Sequence, residues 1–196
     1  MSQIDTIIAS IEGIVGLAAR RPQGHEEILI RADETFPTAS TLKVPVIVEL
    51  FRQAGERKID LKARVPFSHA MRVAGSGILQ DLDDGIQPTV RDLAVFMIVV
   101  SDNAATDLLM EMVGKENLHN TMKSLGLAQT NIPMTTKEIL YNIVGMDLQN
   151  PEDTYEKNKE KLTRGELILE SDGLSDTKSD VSTPREMMRL LSMIMN

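Results

Sequence analysis

A polar tripeptide interrupts what would otherwise be one long apolar helix, and this interruption most restricts the folds open to the chain. Residues 93–100 read LAVFMIVV and follow Thr89 and Asp92, a pair typical of the start of a capped helix. Ser-Asp-Asn then occupies residues 101–103, and a second helical pattern, AATDLLMEMVG, covers residues 104–114. Serine, aspartate and asparagine all cap helices well, so an isolated tripeptide of this kind is also typical of an ordinary cap. We expect two buried helices joined by a tight link.

Ser-Thr-Leu-Lys at residues 40–43 places a hydroxyl and an amine three residues apart, on one face of a helix. The helix is predicted over residues 43–54 with Gly55 as its stop, and Pro45 should bend or tighten its first turn. An unassisted serine is a poor nucleophile, and a lysine amine takes its proton only when burial or nearby cations lower the lysine pKa. We therefore expect Lys43 to lie inside a pocket. The backbone N–H of Ser40, at the helix start, is a candidate oxyanion-hole donor.

The Ser-x-x-Lys pattern is weak evidence when it stands alone. A second copy begins at Ser175 and ends at Lys178, within a polar stretch that no apolar helix follows. We interpret that copy as a solvated loop, and Ser40 as the candidate nucleophile.

Taken together, the two patterns resemble those of the class A beta-lactamases and related penicillin-recognising serine hydrolases, in which Ser-x-x-Lys and Ser-Asp-Asn are family motifs. The 61 positions between Ser40 and Ser101 are also similar to the family spacing. The likeness covers most of residues 36–127 and returns in STPREMMRLL near residue 190. It implies an α+β fold of the beta-lactamase and transpeptidase type, with a helical cluster packed on a small antiparallel sheet.

The resemblance also implies a role for each residue. Ser40 would be acylated, Lys43 would take its proton, Ser101 would relay a proton to the leaving nitrogen, and Asn103 would bind the substrate amide. The implied activity is that of a serine hydrolase acting on a small-molecule beta-lactam or related amide. It needs no metal and no organic cofactor.

In class A enzymes a loop glutamate activates the water that frees the acylated serine. A leucine and an asparagine follow this glutamate in the sequence. Glu138 lies at a similar distance from Ser40, and the segment EILYN matches at Glu138 and Asn142 but has Tyr141 in place of leucine. The alternative is that Thr135 or Thr136 caps a helix with Glu138 in its first turn. In that case the protein would acylate and stall, as a penicillin sensor does.

Only two stretches are typical of strands, residues 13–20 and 27–32, with a turn expected at residues 22–24. A lone hairpin would leave an apolar, unpaired edge. The chain contains no Lys-Thr-Gly or equivalent triplet, which the family carries on a later strand. We therefore predict one incomplete domain over residues 1–196. It would be part of a longer protein or borrow strands from a partner, a homo-oligomer included, and an inactive fragment is a third functional hypothesis.

Three further segments have weaker signals. Residues 147–181 are rich in charged and small polar side chains, which predicts an exposed insertion or a lid. Gly-Ser-Gly at residues 75–77 predicts a flexible turn near the pocket mouth. The last helix should begin at Pro184 after a Thr183 cap and bury a stripe made of Met187, Leu190, Leu191 and Ile194.

The formal net charge of −8, with no basic stripe, argues against nucleic acid and anionic membranes as partners. No cysteine is present, and the N-terminus lacks the basic start and apolar run of a secretory signal. The sequence as written predicts a cytoplasmic protein, or a periplasmic or secreted one if a signal has been removed. His25, His69 and His119 are not at metal-ligand spacing, so we predict no metal site.

Overall fold

Helices dominate the computed structural model, which describes residues 3–21, 24 and 26–195. The helices are α1 (Gln3–Ala9), α2 (Lys43–Gly55), α3 (Val90–Val99), α4 (Asn103–Val113), α5 (Lys115–Ser124), α6 (Thr136–Asn142), α7 (Tyr155–Arg164) and α8 (Pro184–Met195). The strands are β1 (Leu17–Arg20), β2 (Glu27–Ile30), β3 (Phe36–Pro37) and β4 (Val181–Ser182).

Helix α2 lies at the centre of the main core and packs against α3, α4 and α5. Its residues Val46 and Leu50, one turn apart, are fully buried. The core continues through the apolar faces of the next two helices, whose buried members include Leu93, Met97, Leu109 and Met110. A smaller cluster around Val144 packs behind α6. The predicted α+β architecture of a helical cluster on small antiparallel sheets is confirmed.

The predicted hairpin is present but shorter than expected. Strands β1 and β2 pair antiparallel, from Leu17 opposite Ile30 to Arg20 opposite Glu27. The predicted turn at residues 22–24 lies partly outside the described residues, and His25 lies wholly outside them.

The prediction of only two strands is wrong. Phe36–Pro37 pairs with Val181–Ser182 in a second antiparallel sheet, which joins segments more than 140 positions apart. Each strand has two residues, which is too short to produce an alternating sequence pattern. The second sheet lies directly before the 3-10 turn that carries Ser40.

The helix predictions around the motifs are confirmed. Helix α2 ends at Gly55, and a 3-10 turn, Ala39–Leu42, tightens its approach. The Thr89 side chain accepts from the N–H of Asp92 and completes a capping box at the start of α3. Helix α4 begins at Asn103, so Ser101 and Asp102 form the predicted tight link.

The prediction that the α8 stripe is core is only partly right. Thr183 accepts from the N–H of Glu186 as the expected cap, and Leu190 is buried. Leu191 and Ile194, however, are 45% and 53% exposed. Strand β1 and helix α2 contact α8, and Leu190 lies in a buried cluster with Met122 and Leu127, whereas the described residues leave Leu191 and Ile194 largely uncovered.

Residues 147–181 form a mainly exposed segment that contains α7. Most α7 side chains face solvent, but Asn158 is completely buried and donates to the carbonyl of Leu140 in α6. Ser175 is half-buried and directly precedes an exposed turn over residues 176–178, so the second Ser-x-x-Lys copy lies outside any helix, as expected.

Candidate active site

Lys43 is the first residue of α2, and Ser40 lies within the 3-10 turn before it. This arrangement brings the Lys43 Nζ to 3.3 Å from the Ser40 Oγ, where it donates a hydrogen bond. Ala39 adopts a left-handed conformation with φ of 44°, which turns the chain from β3 into the 3-10 turn. The predicted pairing of Ser40 with Lys43 is therefore present.

Asp102 anchors the link between α3 and α4. One of its carboxylate oxygens accepts from the N–H of Ala105, which caps α4. The other accepts from the N–H groups of Ile78 and Leu79, at 2.7 and 2.9 Å. Since Asp102 is only 1% exposed, these bonds satisfy a buried carboxylate and fix the position of the neighbouring Ser101.

Ser101 completes a compact group of polar side chains around the lysine. The Lys43 Nζ lies 2.8 Å from both the backbone oxygen and the Oγ of Ser101. The Ser101 hydroxyl donates to the Ser40 Oγ across 3.0 Å. Ser101 adopts a φ of 54°, which is uncommon outside glycine and asparagine. Each of these three side chains is therefore within hydrogen-bond distance of the other two.

Asn103 is the fourth member of the group. Its Oδ1 accepts from the Lys43 Nζ at 3.0 Å, and its Nδ2 donates to the carbonyl of Ala74 at 2.9 Å. Its backbone N–H donates to the carbonyl of Ser76. These bonds orient the Asn103 amide at the start of α4, beside the chain that passes through residues 74–76.

Burial lowers the pKa of the Lys43 amine to about 8, against the opposing influence of the Asp102 and Asp107 carboxylates. Lys43 is 3% exposed. A lysine with this pKa has a substantial neutral fraction near neutral pH, which an ordinary surface lysine lacks. The neutral amine can accept a proton from a hydroxyl in contact with it, so the predicted environment for a lysine base is present.

Ser40, Lys43 and Asn103 line one cavity of about 310 Å³. One wall is formed by Gly75 and Ser76, so the Gly-Ser-Gly segment lies where the sequence predicts. Further lining comes from α6 and the segment after α7, with the residues Thr136, Ile139, Leu140, Ile143 and Leu174. The described lining is largely apolar around one buried amine, and it includes no carboxylate.

The structure places Glu138 away from this cavity, in the capping box of α6. The Glu138 carboxylate accepts from the N–H of Thr135 at 2.5 Å and from the Lys115 Nζ at 2.8 Å. Although partial burial opposes it, the Lys115 ammonium holds the Glu138 pKa below its ordinary value. Glu138 lines a different cavity together with Lys115 and Asp107. The described contacts agree with the capping alternative and do not connect Glu138 with Ser40.

Two aspartates, the half-buried Asp107 and the buried Asp180, were missed by the sequence reasoning. The Asp107 carboxylate accepts from the N–H groups of Thr136 and Lys137 and so joins α4 to the start of α6. Its place one helical turn after Asn103 is a signal that could have found it. Burial raises the pKa of Asp107 to about 6 and that of Asp180 to about 7. No sequence signal marks Asp180, which lies where β4 begins.

The described residues contain no cluster of three His, Cys, Asp or Glu arranged to hold a metal ion. None of the helices in the described ranges combines the length and apolar character needed to cross a lipid bilayer.

A family described as "Beta-lactamase enzyme family" matches residues 1–196. The chain belongs to this beta-lactamase family. The extended-spectrum beta-lactamase PER-1 of Pseudomonas aeruginosa is 30% identical over 134 residues, which are 66% of this chain and 44% of PER-1.

Solved structures support the beta-lactamase fold. A beta-lactamase from Sphaerobacter thermophilus has a TM-score of 0.73 and 24% identity, covering 98% of this chain and 60% of that one. PBP-A has a TM-score of 0.72 and 20% identity, covering 98% and 59%. A PBP-A variant is known as an acyl-enzyme complex with penicillin G. The chain therefore spans less than half of PER-1 and about three fifths of these structural neighbours.

Proposed function

We propose that the protein is a serine hydrolase of the beta-lactamase type that is acylated at Ser40 by a beta-lactam or a related amide. One observation carries the proposal: the Lys43 Nζ lies within hydrogen-bond distance of both the Ser40 and Ser101 hydroxyls, at 3.3 and 2.8 Å. This is the geometry that a nucleophile, a base and a proton relay require.

The acylation step follows from these contacts. Neutral Lys43 takes the Ser40 proton, directly or through Ser101, as the Ser40 Oγ attacks the carbonyl carbon of the amide. The carbon–nitrogen bond of the tetrahedral intermediate then breaks. The leaving nitrogen takes the Ser101 proton, and the Lys43 ammonium restores it, so the amine ends neutral. The proton that leaves Ser40 therefore ends on the leaving nitrogen, and Lys43 and Ser101 return to their starting protonation states.

Two groups are assigned to substrate binding. The Asn103 amide, fixed by Lys43 and Ala74, would hydrogen-bond the side-chain amide of the substrate. The Ser40 N–H, in the turn that leads into α2, would donate to the developing oxyanion. Both assignments place donors and acceptors at the cavity that Ser40 lines.

Hydrolysis of the acyl-enzyme needs an activated water, and the described cavity lining contains no carboxylate to activate one. This observation favours a second function, in which the protein binds penicillin covalently and turns over slowly. In class A enzymes a glutamate activates this water, and Glu138 is the residue that the sequence suggests for the role. Its bonds to Thr135 and Lys115 support the capping alternative. We infer that the acyl-enzyme is long-lived.

Intact-mass measurement with and without penicillin G tests the proposal. A stoichiometric adduct equal to the mass of the intact antibiotic is expected for the wild type and for Ser175→Ala, the matched control in the second Ser-x-x-Lys copy. The Ser40→Ala variant should show no adduct. Equal labelling of all three proteins would remove Ser40 as the nucleophile, and no labelling of the wild type would reject acylation of this chain. The decay rate of the adduct separates hydrolase from binding protein.

A further inference from the structure

Helix α7 bonds to two segments beside the cavity that Ser40 lines. At one point, the Tyr155 hydroxyl donates to the Gln80 Oε1 across 3.2 Å. At the other, the buried Asn158 donates its Nδ2 across 2.9 Å to the carbonyl of Leu140, which itself lines the cavity.

The Gln80 side-chain amide also bonds to residues 75–77, which we call the glycine loop. Its Nε2 donates to the carbonyl of Gly75 at 2.7 Å and to that of Gly77 at 3.3 Å. The two glycines have φ angles of 85° and 120°, a region that other residues rarely adopt. One amide side chain therefore bridges the ends of a loop whose backbone lies outside any helix or strand.

The glycine loop directly contacts Asp102 and Asn103, where α3 is linked to α4. A Cβ at Gly77 would lie 2.4 Å from the Asp102 Cγ, so the backbone there approaches as closely as only glycine allows. The Asn103 N–H donates to the carbonyl of Ser76. A shift of this loop would therefore move Ser76 in the cavity wall and disturb the support of Asn103.

Two polar side-chain contacts also join α7 to this region, but both are exposed. The His69 Nε2 lies 3.0 Å from Glu156, and Lys159 lies 3.6 Å from Asp81. Exposed pairs of this kind contribute little to the positioning of backbone. The half-buried contact of Tyr155 with Gln80 is the one that reaches the cavity wall.

We propose that Gln80, held by Tyr155, is a positioning residue that fixes the glycine loop and thereby sets the affinity of the acylation cavity for its amide substrate. The effect on substrate rests on the proposed function, whereas the effect on the loop does not. Loss of the contact should weaken substrate binding before acylation, because the bonds among Ser40, Lys43 and Ser101 do not pass through Gln80.

The chain offers a matched pair of variants, because Tyr141 and Tyr155 are its two tyrosines. Tyr155→Phe removes the donor to Gln80 but keeps the ring that packs edge-on against His69. Tyr141→Phe removes a hydroxyl from the core cluster around Val144 and leaves the bond from Tyr155 to Gln80 in place. Gln80→Glu keeps the acceptor for Tyr155 but loses the donor to Gly75, so it should behave like Gln80→Leu.

Acylation by a fluorescent penicillin gives the first readout, as a function of penicillin concentration. In Tyr155→Phe and Gln80→Leu the concentration for half-maximal rate should rise about two- to tenfold, the factor that one neutral hydrogen bond is worth. The maximal rate should stay unchanged, and Tyr141→Phe should match the wild type. A fall in maximal rate with no change in half-maximal concentration would overturn the assignment.

Hydrogen exchange of the backbone amides in residues 75–80 gives a second readout that needs no activity. Exchange there should accelerate about two- to tenfold in Tyr155→Phe and in Gln80→Leu, and stay at the wild-type rate in Tyr141→Phe. If the wild type is never acylated, the proposed function fails and the exchange result still decides the positioning role. Unchanged exchange in both variants would overturn the inference.

Discussion

The hydroxyl oxygens of Ser40 and Ser101 lie 3.0 Å apart, although 61 positions separate the two residues in the chain. The Lys43 Nζ lies 3.3 Å from the Ser40 Oγ and 2.8 Å from the Ser101 Oγ, so once the two hydroxyls rotate to donate towards the neutral amine, a proton leaving Ser40 has a direct path to it and a second path through Ser101. Each of the two steps through Ser101, at 3.0 and 2.8 Å, is shorter than the direct distance of 3.3 Å from Ser40 to Lys43. The relay residue is therefore in place before any substrate enters.

The pKa of Lys43 sets the pH dependence of acylation. Only the neutral amine can act as base, and burial lowers its pKa to about 8. The rate of Ser40 labelling at low penicillin concentration should therefore rise with pH below 8 and level off above it. Lys43→Arg carries a cation that stays protonated, so its labelling should fall by about 10²–10⁴ at every pH. A wild-type rate independent of pH between 6 and 9 would contradict the assignment.

Removal of the Ser101 hydroxyl should slow acylation without weakening the fold. Ser101→Gly is the suitable change, because glycine accepts the φ of 54° that alanine would resist. Loss of a relay costs about 10²–10⁴ in rate, and the maximal rate of labelling should fall within that range. Thermal unfolding close to that of the wild type would show that the fold persists. Full labelling activity in Ser101→Gly would exclude a relay role.

Glu138→Gln distinguishes a helix-capping role of Glu138 from a role as the deacylating base. A capping role predicts an unchanged lifetime of the acyl-enzyme and a loss of about 0.5–1 kcal/mol in the free energy of unfolding, since the charge opposite Lys115 and the α6 dipole is removed. The measurements are adduct decay by mass spectrometry and urea unfolding. A longer-lived adduct in Glu138→Gln would instead identify Glu138 as the deacylating base.

The sequence was sufficient for the parts of the site that depend on short-range rules. The Ser40 and Lys43 pairing follows from helical spacing, and the Thr89 and Asp92 capping box follows from side-chain chemistry. The role of Glu138 was open because one sequence fits both a loop base and the first turn of a helix. Only its contacts with Lys115 and Thr135 favour the second.

Long-range relationships could not be obtained in this way. The pairing of Phe36 with Ser182 leaves no pattern in two-residue strands. The exposed half of the α8 stripe shows the same limit, because the periodicity that predicts an apolar face does not say what covers it. The bridge from Tyr155 to Gln80 connects residues 75 positions apart, and nothing in either segment predicts the other.

Asp180 joins the segment before α6 to the second sheet. Its Oδ1 accepts from the N–H of Met134, and its carbonyl accepts from the N–H of Thr38, two residues before Ser40. Within the described part of the chain its Oδ2 is buried without a hydrogen-bond partner. Burial raises the pKa of this carboxyl to about 7, against the influence of Met134 and Lys115. The charged form is therefore unfavourable in the folded state.

The stability of the protein should consequently depend on pH through Asp180. An aspartate has a pKa of about 4 in the unfolded chain, so between that value and about 7 the folded state binds more protons and stability falls as pH rises. Asp180→Asn should be about 1–3 kcal/mol more stable than the wild type at pH 8 and close to it at pH 4, by urea unfolding. Asp176→Asn, at an exposed position in the same segment, should show no such difference. An Asp180→Asn variant destabilised equally at both pH values would mean that the ionised carboxylate is needed for the fold.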